Sequence, residues 1–263
     1  MMKYKNLYGK EYNRINTKSL ANSLCLLFGL TEINVDSGVY VDLLNCVGRV
    51  NKAVIYCPLS VAEWVADNQP VFKEKIEKIA PLRIKAVTNP TRNSLAPVCT
   101  MLSSEFENSQ SIKNNTNASI FEILQKAGKK CLLVASDKKT AEYYENKVAT
   151  IKASCGIACI NNALEIIKNK EYDFIFIVDG DYSEVVKTSL PLSKSSKNTL
   201  DGLSFRFELL SDAIDVYPQG EVLLGFCPDK GCHAFFLGSK SGSISIADSN
   251  VSHFFAVKGG ENV

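Results

Sequence analysis

A chain of 263 residues, 46% apolar and 22% charged, is long enough to bury a substantial core and has ordinary globular make-up. Its formal charge of +2 sets up no strong global field, which excludes charge-driven capture of nucleic acid or of an anionic membrane. The nine cysteines are scattered, with no Cys-x-x-Cys, and Cys25 and Cys131 sit inside apolar runs where a thiol packs as a small hydrophobe. The opening stretch "MMKYKNLYGKEYNR" lacks the apolar region of a secretory signal, and no run approaches the ~18 apolar residues of a membrane span. The expectation is a reduced, cytoplasmic protein with no membrane or nucleic-acid partner.

In chain order, Ser19 to Phe28 reads as one helix, while the place of the first ~45 residues relative to any sheet is left open. Lys52 to Cys57 is the first clear buried strand; Pro58 stops it, and Ser60 is the expected N-cap of a helix through Ala62, Trp64 and Val65. Leu82 to Val87 alternates like a strand and runs into the loop chemistry of "TNPTRNSLAP". Ser119 opens an amphipathic helix that Gly128 closes, and Cys131 to Ala135 is a strand followed by Ser136-Asp137 as a cap. Ile157 to Ile160 reads as a short strand, and Leu164 to Ile167 as helix. Tyr172 to Val178 is a buried strand closed by Asp179-Gly180-Asp181. "SLPLSKSSKN" (189–198) reads as a surface loop, 199–217 as a long helix and 221–226 as a strand. Strands alternating with helices predict one domain over 1–263, a mostly parallel sheet in a three-layer α/β/α sandwich.

Ligands of such sheets bind beyond the carboxyl ends of the strands. Those ends carry Pro58-Leu59-Ser60, the Asn93 to Cys99 stretch, Asp179 to Lys187, "PDKGCH" at 228–233, and Gly238 to Gly242. The order and spacing of "ASIFEILQKAGKK", "EYDFIFIVDGDY", "LGFCPDKGCH" and "NVSHFF" resemble the alkaline-phosphatase-like superfamily, in particular its nucleotide pyrophosphatase/phosphodiesterase branch, from about residue 50 to about residue 257.

That resemblance implies hydrolysis of phosphate esters or anhydrides by a Thr or Ser nucleophile and two zinc ions held by carboxylates and imidazoles. Carried over position by position, it meets substitutions. The Asp after the first strand is Leu59, and the nucleophile is Ala96 in "APVC". The Asp-x-x-x-His pair is Ser183 and Lys187, the Asp-His pair is Asp229 and Lys230, and the late His is Lys240. Only Asp229 keeps its type; His233 matches a family histidine outside the metal set, at the rim of the cleft.

Zinc is therefore expected to be absent, since one carboxylate does not make a four-ligand site. Lys187, Lys230 and Lys240 are expected to converge beside Asp229, supplying part of the positive field the metals would have supplied. The leading expectation is a non-catalytic relative whose lysine-lined cleft binds a small phosphate-containing anion. The lysines are otherwise solvated, or paired with Asp229, Asp179, Asp181 or Glu184. Two alternatives remain: a residual, metal-independent phosphoric-ester hydrolase using Ser94 or Thr91 with a lysine base, or a protein-interaction module on the same fold. Trp64 reads as core.

Overall fold

A strand that is apolar throughout, such as "KAVIYC", is stable only when both of its faces are covered. In a computed structural model, described for residues 2–5, 11–31, 38–88, 95–103, 109–114, 117–218, 220–235, 238–240 and 246–259, that is the arrangement found. The strands in chain order are β1 (Met2–Lys5), β2 (Glu11–Asn16), β3 (Lys52–Pro58), β4 (Leu82–Val87), β5 (Cys131–Ala135), β6 (Ala149–Lys152), β7 (Phe174–Asp179), β8 (Val222–Phe226), β9 (His233–Phe235), β10 (Gly238–Lys240) and β11 (Asn250–Lys258). Nine of them form one sheet in the order β1-β2-β4-β11-β8-β3-β7-β5-β6, and β9 and β10 form a separate hairpin. Within the large sheet β1 and β11 run against all the others.

Alternate residues of β3 feed two cores. Ala53, Ile55 and Cys57 pack with the helices Ser19–Leu27, Ala96–Ser103 and Ile120–Lys126 on one side. Val54 and Tyr56 pack with the helices Pro70–Ile79, Gly156–Asn169 and Lys194–Ile214 on the other. The fold is a three-layer α/β/α sandwich with a mostly parallel sheet, as the alternation of elements predicts. Phe226, the last residue of β8, is fixed by an aromatic cluster: its ring centroid lies 5.3 Å from Phe207, 5.7 Å from Tyr56 and 5.9 Å from Phe72. Truncating such a ring typically costs about 3–5 kcal/mol. The cluster therefore pins the point from which "CPDKGCH" departs.

Several local expectations are met by visible chemistry. Ser119 and Glu122 make a capping box at the start of Ile120–Lys126, and Gly128 takes the positive φ of a helix exit. Asp137 caps the helix Lys138–Tyr144 by accepting from the Thr140 N–H at 2.8 Å.

Others are corrected. Ser60 does not cap the helix Glu63–Asp67, whose N-cap is Ala62; Ser60 instead takes φ 68° and turns its N–H elsewhere. Residues 157–160 belong to the helix Gly156–Asn169, and the short strand lies just before it at β6. The serine-rich stretch is half helical, because the Ser193 hydroxyl accepts from the Ser196 N–H and starts a helix running from Lys194 to Ile214. The early residues join the sheet: β2 pairs in parallel with β4, with Ile15 opposite Ala86, and Arg14 makes a buried ion pair with Glu63.

Candidate functional site

The strands β8, β3, β7, β5 and β6 are neighbours and point the same way, so their carboxyl ends share one edge. A cleft of about 390 Å³ lies along that edge. Each of the five strand ends contributes to it: Asp229 and Lys230 after β8, Leu59 after β3, Asp181 after β7, Ser136 after β5 and Ser154 after β6. Ser183, Glu184 and Lys187 line it from the helix Asp181–Thr188.

Asp229 is the fixed point. Its side chain is completely buried, and its Oδ1 accepts from the Ser60 main-chain N–H at 2.8 Å. Ser60 adopts the left-handed conformation, costly for a residue with a Cβ, and this aims its N–H at the carboxylate. The Oδ2 atom has no hydrogen-bond partner among the described residues. Burial raises the Asp229 carboxyl to about 6, partly offset by the Lys230 charge and by main-chain N–H groups. Lys230 itself is 5% exposed, an unusual degree of burial for a lysine, and no carboxylate pairs with it among the described residues.

The turn behind this pair is held from three sides. His253 is fully buried; its Nε2 faces the Pro228 carbonyl at 3.0 Å and its Nδ1 faces the Tyr40 hydroxyl at 3.1 Å. A carbonyl only accepts, so Nε2 carries the proton and Tyr40 donates to Nδ1. Burial lowers the His253 imidazole to about 4, which keeps it neutral. The Trp64 indole N–H donates to the Cys232 carbonyl at 2.6 Å, so Trp64, expected in the core, is instead half-buried against it and ties down the end of the turn. The Gly231 N–H donates to the Asp248 carbonyl at 2.8 Å.

Beside the cleft runs a network that the sequence does not announce. Asp179, fully buried at the end of β7, accepts from the Tyr56 hydroxyl at 2.6 Å and from Arg206 Nη1 at 2.6 Å. Arg206 Nη2 also reaches Asp181 at 2.7 Å, and Asp181 Oδ1 accepts from the Gly156 N–H at 2.9 Å. The two carboxylates hold the Arg206 guanidinium above its ordinary value despite burial. A Cβ at Gly156 would lie 2.3 Å from both Arg206 Nη1 and the Asp179 carboxylate, so any side chain there would force one of them to move.

The sequence-derived residues are distributed as follows. Leu59, Ser183, Lys187, Asp229 and Lys230 all line the cleft, and the Ser60 hydroxyl donates to Ser183 Oγ at 3.3 Å. Lys187 is exposed and paired with Glu184. Lys240 stands opposite His233 in the β9–β10 hairpin, β10 lying alongside the helix Asp181–Thr188; its side chain is outside the described residues. Ala96 is buried at the start of the helix Ala96–Ser103. Ser94 and Thr91 lie outside the described residues. The His233 ring faces Asp248 at 2.9 Å and is not among the residues lining the cleft.

The two-zinc chemistry implied by the resemblance needs a set of free carboxylates and imidazoles. Here Asp137 is committed to Thr140, Asp181 to Arg206 and Gly156, and Glu184 to Lys187, while an ammonium, a hydroxyl and an isobutyl group stand at the remaining positions. Among the described residues no three His, Cys, Asp or Glu side chains are grouped to hold a metal ion. These residues do not fit a pair of zinc ions.

No family model and no curated protein matches the sequence. Solved structures do. An open parallel sheet between two helical layers, with its cleft at the strand ends, defines the class as a doubly covered α/β fold. Within that class, a protein in the alkaline phosphatase superfamily from Vibrio parahaemolyticus has a TM-score of 0.59 at 10% identity, covering 95% of this chain and 70% of its own. The fold is that of the alkaline phosphatase superfamily. Human ectonucleotide pyrophosphatase/phosphodiesterase 5 matches with TM-score 0.48, 12% identity, over 69% of this chain and 57% of its own. Phosphonoacetate hydrolase from Sinorhizobium meliloti, in complex with phosphonoacetate, matches with TM-score 0.46, 11% identity, over 70% and 57%. The chain thus spans little more than half the length of these last two.

Proposed function

We propose that this chain is a non-catalytic relative of the zinc-dependent phosphodiesterases and phosphatases, and that its cleft binds a small phosphate-type anion without zinc. The observation that carries the reading is Lys230: a lysine 5% exposed, lining the cleft, with no carboxylate paired to it among the described residues. Burying an ammonium that has the field of the adjoining Asp229 but no ion pair is costly, and an anion in the cleft offsets that cost. The Ser183 hydroxyl adds a donor: its oxygen accepts from Ser60, which leaves its own hydrogen directed away from that bond. Lysine and hydroxyl donors together suit phosphate oxygens.

Reduced conditions such as the cytoplasm fit the nine cysteines, all unpaired. Among the described residues no helix is long and apolar enough to cross a membrane.

The test is calorimetric titration of the purified chain with inorganic phosphate, alongside phosphodiesterase assays with and without added zinc. Binding that is weakened about tenfold or more in Lys230→Met, with no turnover under either assay condition, is the expected outcome. Lys187 already has Glu184, so Lys187→Ala is expected to weaken binding less than threefold, roughly the effect of an exposed, screened charge. Zinc-dependent turnover, or phosphate affinity indifferent to Lys230, defeats the reading.

A further inference from the structure

Asp229 offers an anion something that lysine and serine do not. Its Oδ1 is engaged by the Ser60 N–H, but its Oδ2 is buried with no hydrogen-bond partner among the described residues, and the residue forms part of the cleft lining next to Lys230. A buried acceptor without a donor is a costly arrangement that a ligand hydroxyl relieves. A fully deprotonated tetrahedral anion has no hydrogen to give and would set its own oxygens against the carboxylate. A phosphate that still carries a proton gives P–OH to Asp229 and its charged oxygens to Lys230 and Ser183.

We infer that the cleft selects a protonated phosphate-type anion, hydrogen phosphate or the singly protonated end of a phosphate monoester, over a fully deprotonated oxyanion such as sulfate. This rests on the anion-binding reading above and goes further in naming the ligand's protonation state and the residue that reads it. Lys230 supplies attraction common to all such anions, and Asp229 supplies the discrimination between them. The two residues are consecutive, so the same turn carries both functions. The other charged groups lining the cleft are Lys187 and Glu184, which pair on the adjoining helix, Asp137, which caps the helix after β5, Lys138, which pairs with Glu142, Lys139, and Asp181, which binds Arg206; none of the carboxylates among them is an unsatisfied buried acceptor.

The experiment titrates the full chain with inorganic phosphate and, separately, with sulfate at pH 7.5 and matched ionic strength. Asp229→Asn is measured in the same way. Phosphate is expected to bind about 10- to 100-fold more tightly than sulfate, the gain from one hydrogen bond to a charged acceptor. In Asp229→Asn, where an amide N–H can replace the orphan oxygen, sulfate is expected to come within about threefold of phosphate. Equal binding of phosphate and sulfate by the unsubstituted chain overturns this inference and leaves the anion-binding reading standing. Failure of both anions to bind overturns both. A phosphate preference that persists undiminished in Asp229→Asn also overturns it, because the discrimination then comes from elsewhere. If that variant fails to fold, Asp229→Ser, whose hydroxyl can donate to a bare oxyanion, takes its place with the same two outcomes.

Discussion

Asp229 and His253 make opposite demands on pH, and separating them is a direct test of how the corner at 226–233 is held. Asp229 is raised from 3.8 to about 6, so the folded chain keeps a proton there that the unfolded chain gives up. That contribution is fully present below pH 3.8 and is lost as pH rises through about 6. His253 is lowered from 6.5 to about 4, so the folded chain refuses a proton that the unfolded chain takes. Its contribution is present above pH 6.5 and is lost as pH falls through about 4. At about 1.4 kcal/mol per pH unit, each effect amounts to about 3 kcal/mol, and over the shared window the two nearly cancel. The unsubstituted chain should therefore show little slope from this pair. Asp229→Asn keeps an acceptor for the Ser60 N–H and removes the carboxyl. Its stability, measured by urea unfolding, should rise by about 3 kcal/mol between pH 4 and 6.5 relative to the unsubstituted chain. His253→Gln should show the reverse tilt. The single tryptophan, Trp64, bonds to Cys232 at the end of the same turn and serves as the fluorescence reporter. Other carboxylates contribute equally to both proteins and drop out of the difference. Parallel pH profiles for Asp229→Asn and the unsubstituted chain would refute the reasoning.

The remaining predictions concern the neighbouring network and the metal. Arg206→Met strands Asp179 in a fully buried place with Tyr56 and the Asp181 N–H as its remaining donors among the described residues, and should cost about 3–5 kcal/mol in chemical unfolding. Gly156→Ala pushes a methyl group into Arg206 and Asp179 and should cost about 1–3 kcal/mol, most of it absent when combined with Arg206→Met, because the two changes strike the same contact. Metal analysis of protein purified without chelator should find zinc well below one equivalent, and a chelator should leave the thermal midpoint unmoved; two stoichiometric zinc ions would contradict the assignment of the cleft.

The sequence reaches the sheet because apolar runs and their caps are local signals. "KAVIYC", "CLLVA" and "FIFIVD" are strands in any context that covers both faces, and Asp137 and Ser119 cap the helices they precede. Legibility fails where tertiary partners decide. Ser60 looks like a helix cap, but the buried Asp229, distant in the chain, claims its N–H and draws it into a positive φ. "GIACI" has the apolar density of a strand, yet it opens a helix whose first-turn Gly156 N–H is satisfied by Asp181, 25 residues away in the chain. β11 carries no local strand signal beyond "NVSHFF", which is legible only through the resemblance, although it bridges β4 and β8. The early strand β2 is added through pairing with β4, which no local pattern dictates.

The site follows the same division. Lys187, Lys230 and Asp229 are visible in sequence as substitutions at spaced positions, but their roles differ for reasons only geometry supplies. Lys187 lies on an exposed helix face one turn from Glu184 and is neutralised by it. Lys230 follows a strand pinned by the Phe226 cluster and is drawn into the cleft with no such partner. Two lysines that look equivalent in the chain therefore make unequal contributions. Of the two, the one in "CPDKGCH" is the buried one, and on the proposed reading the carboxylate beside it sets which anions the cleft holds.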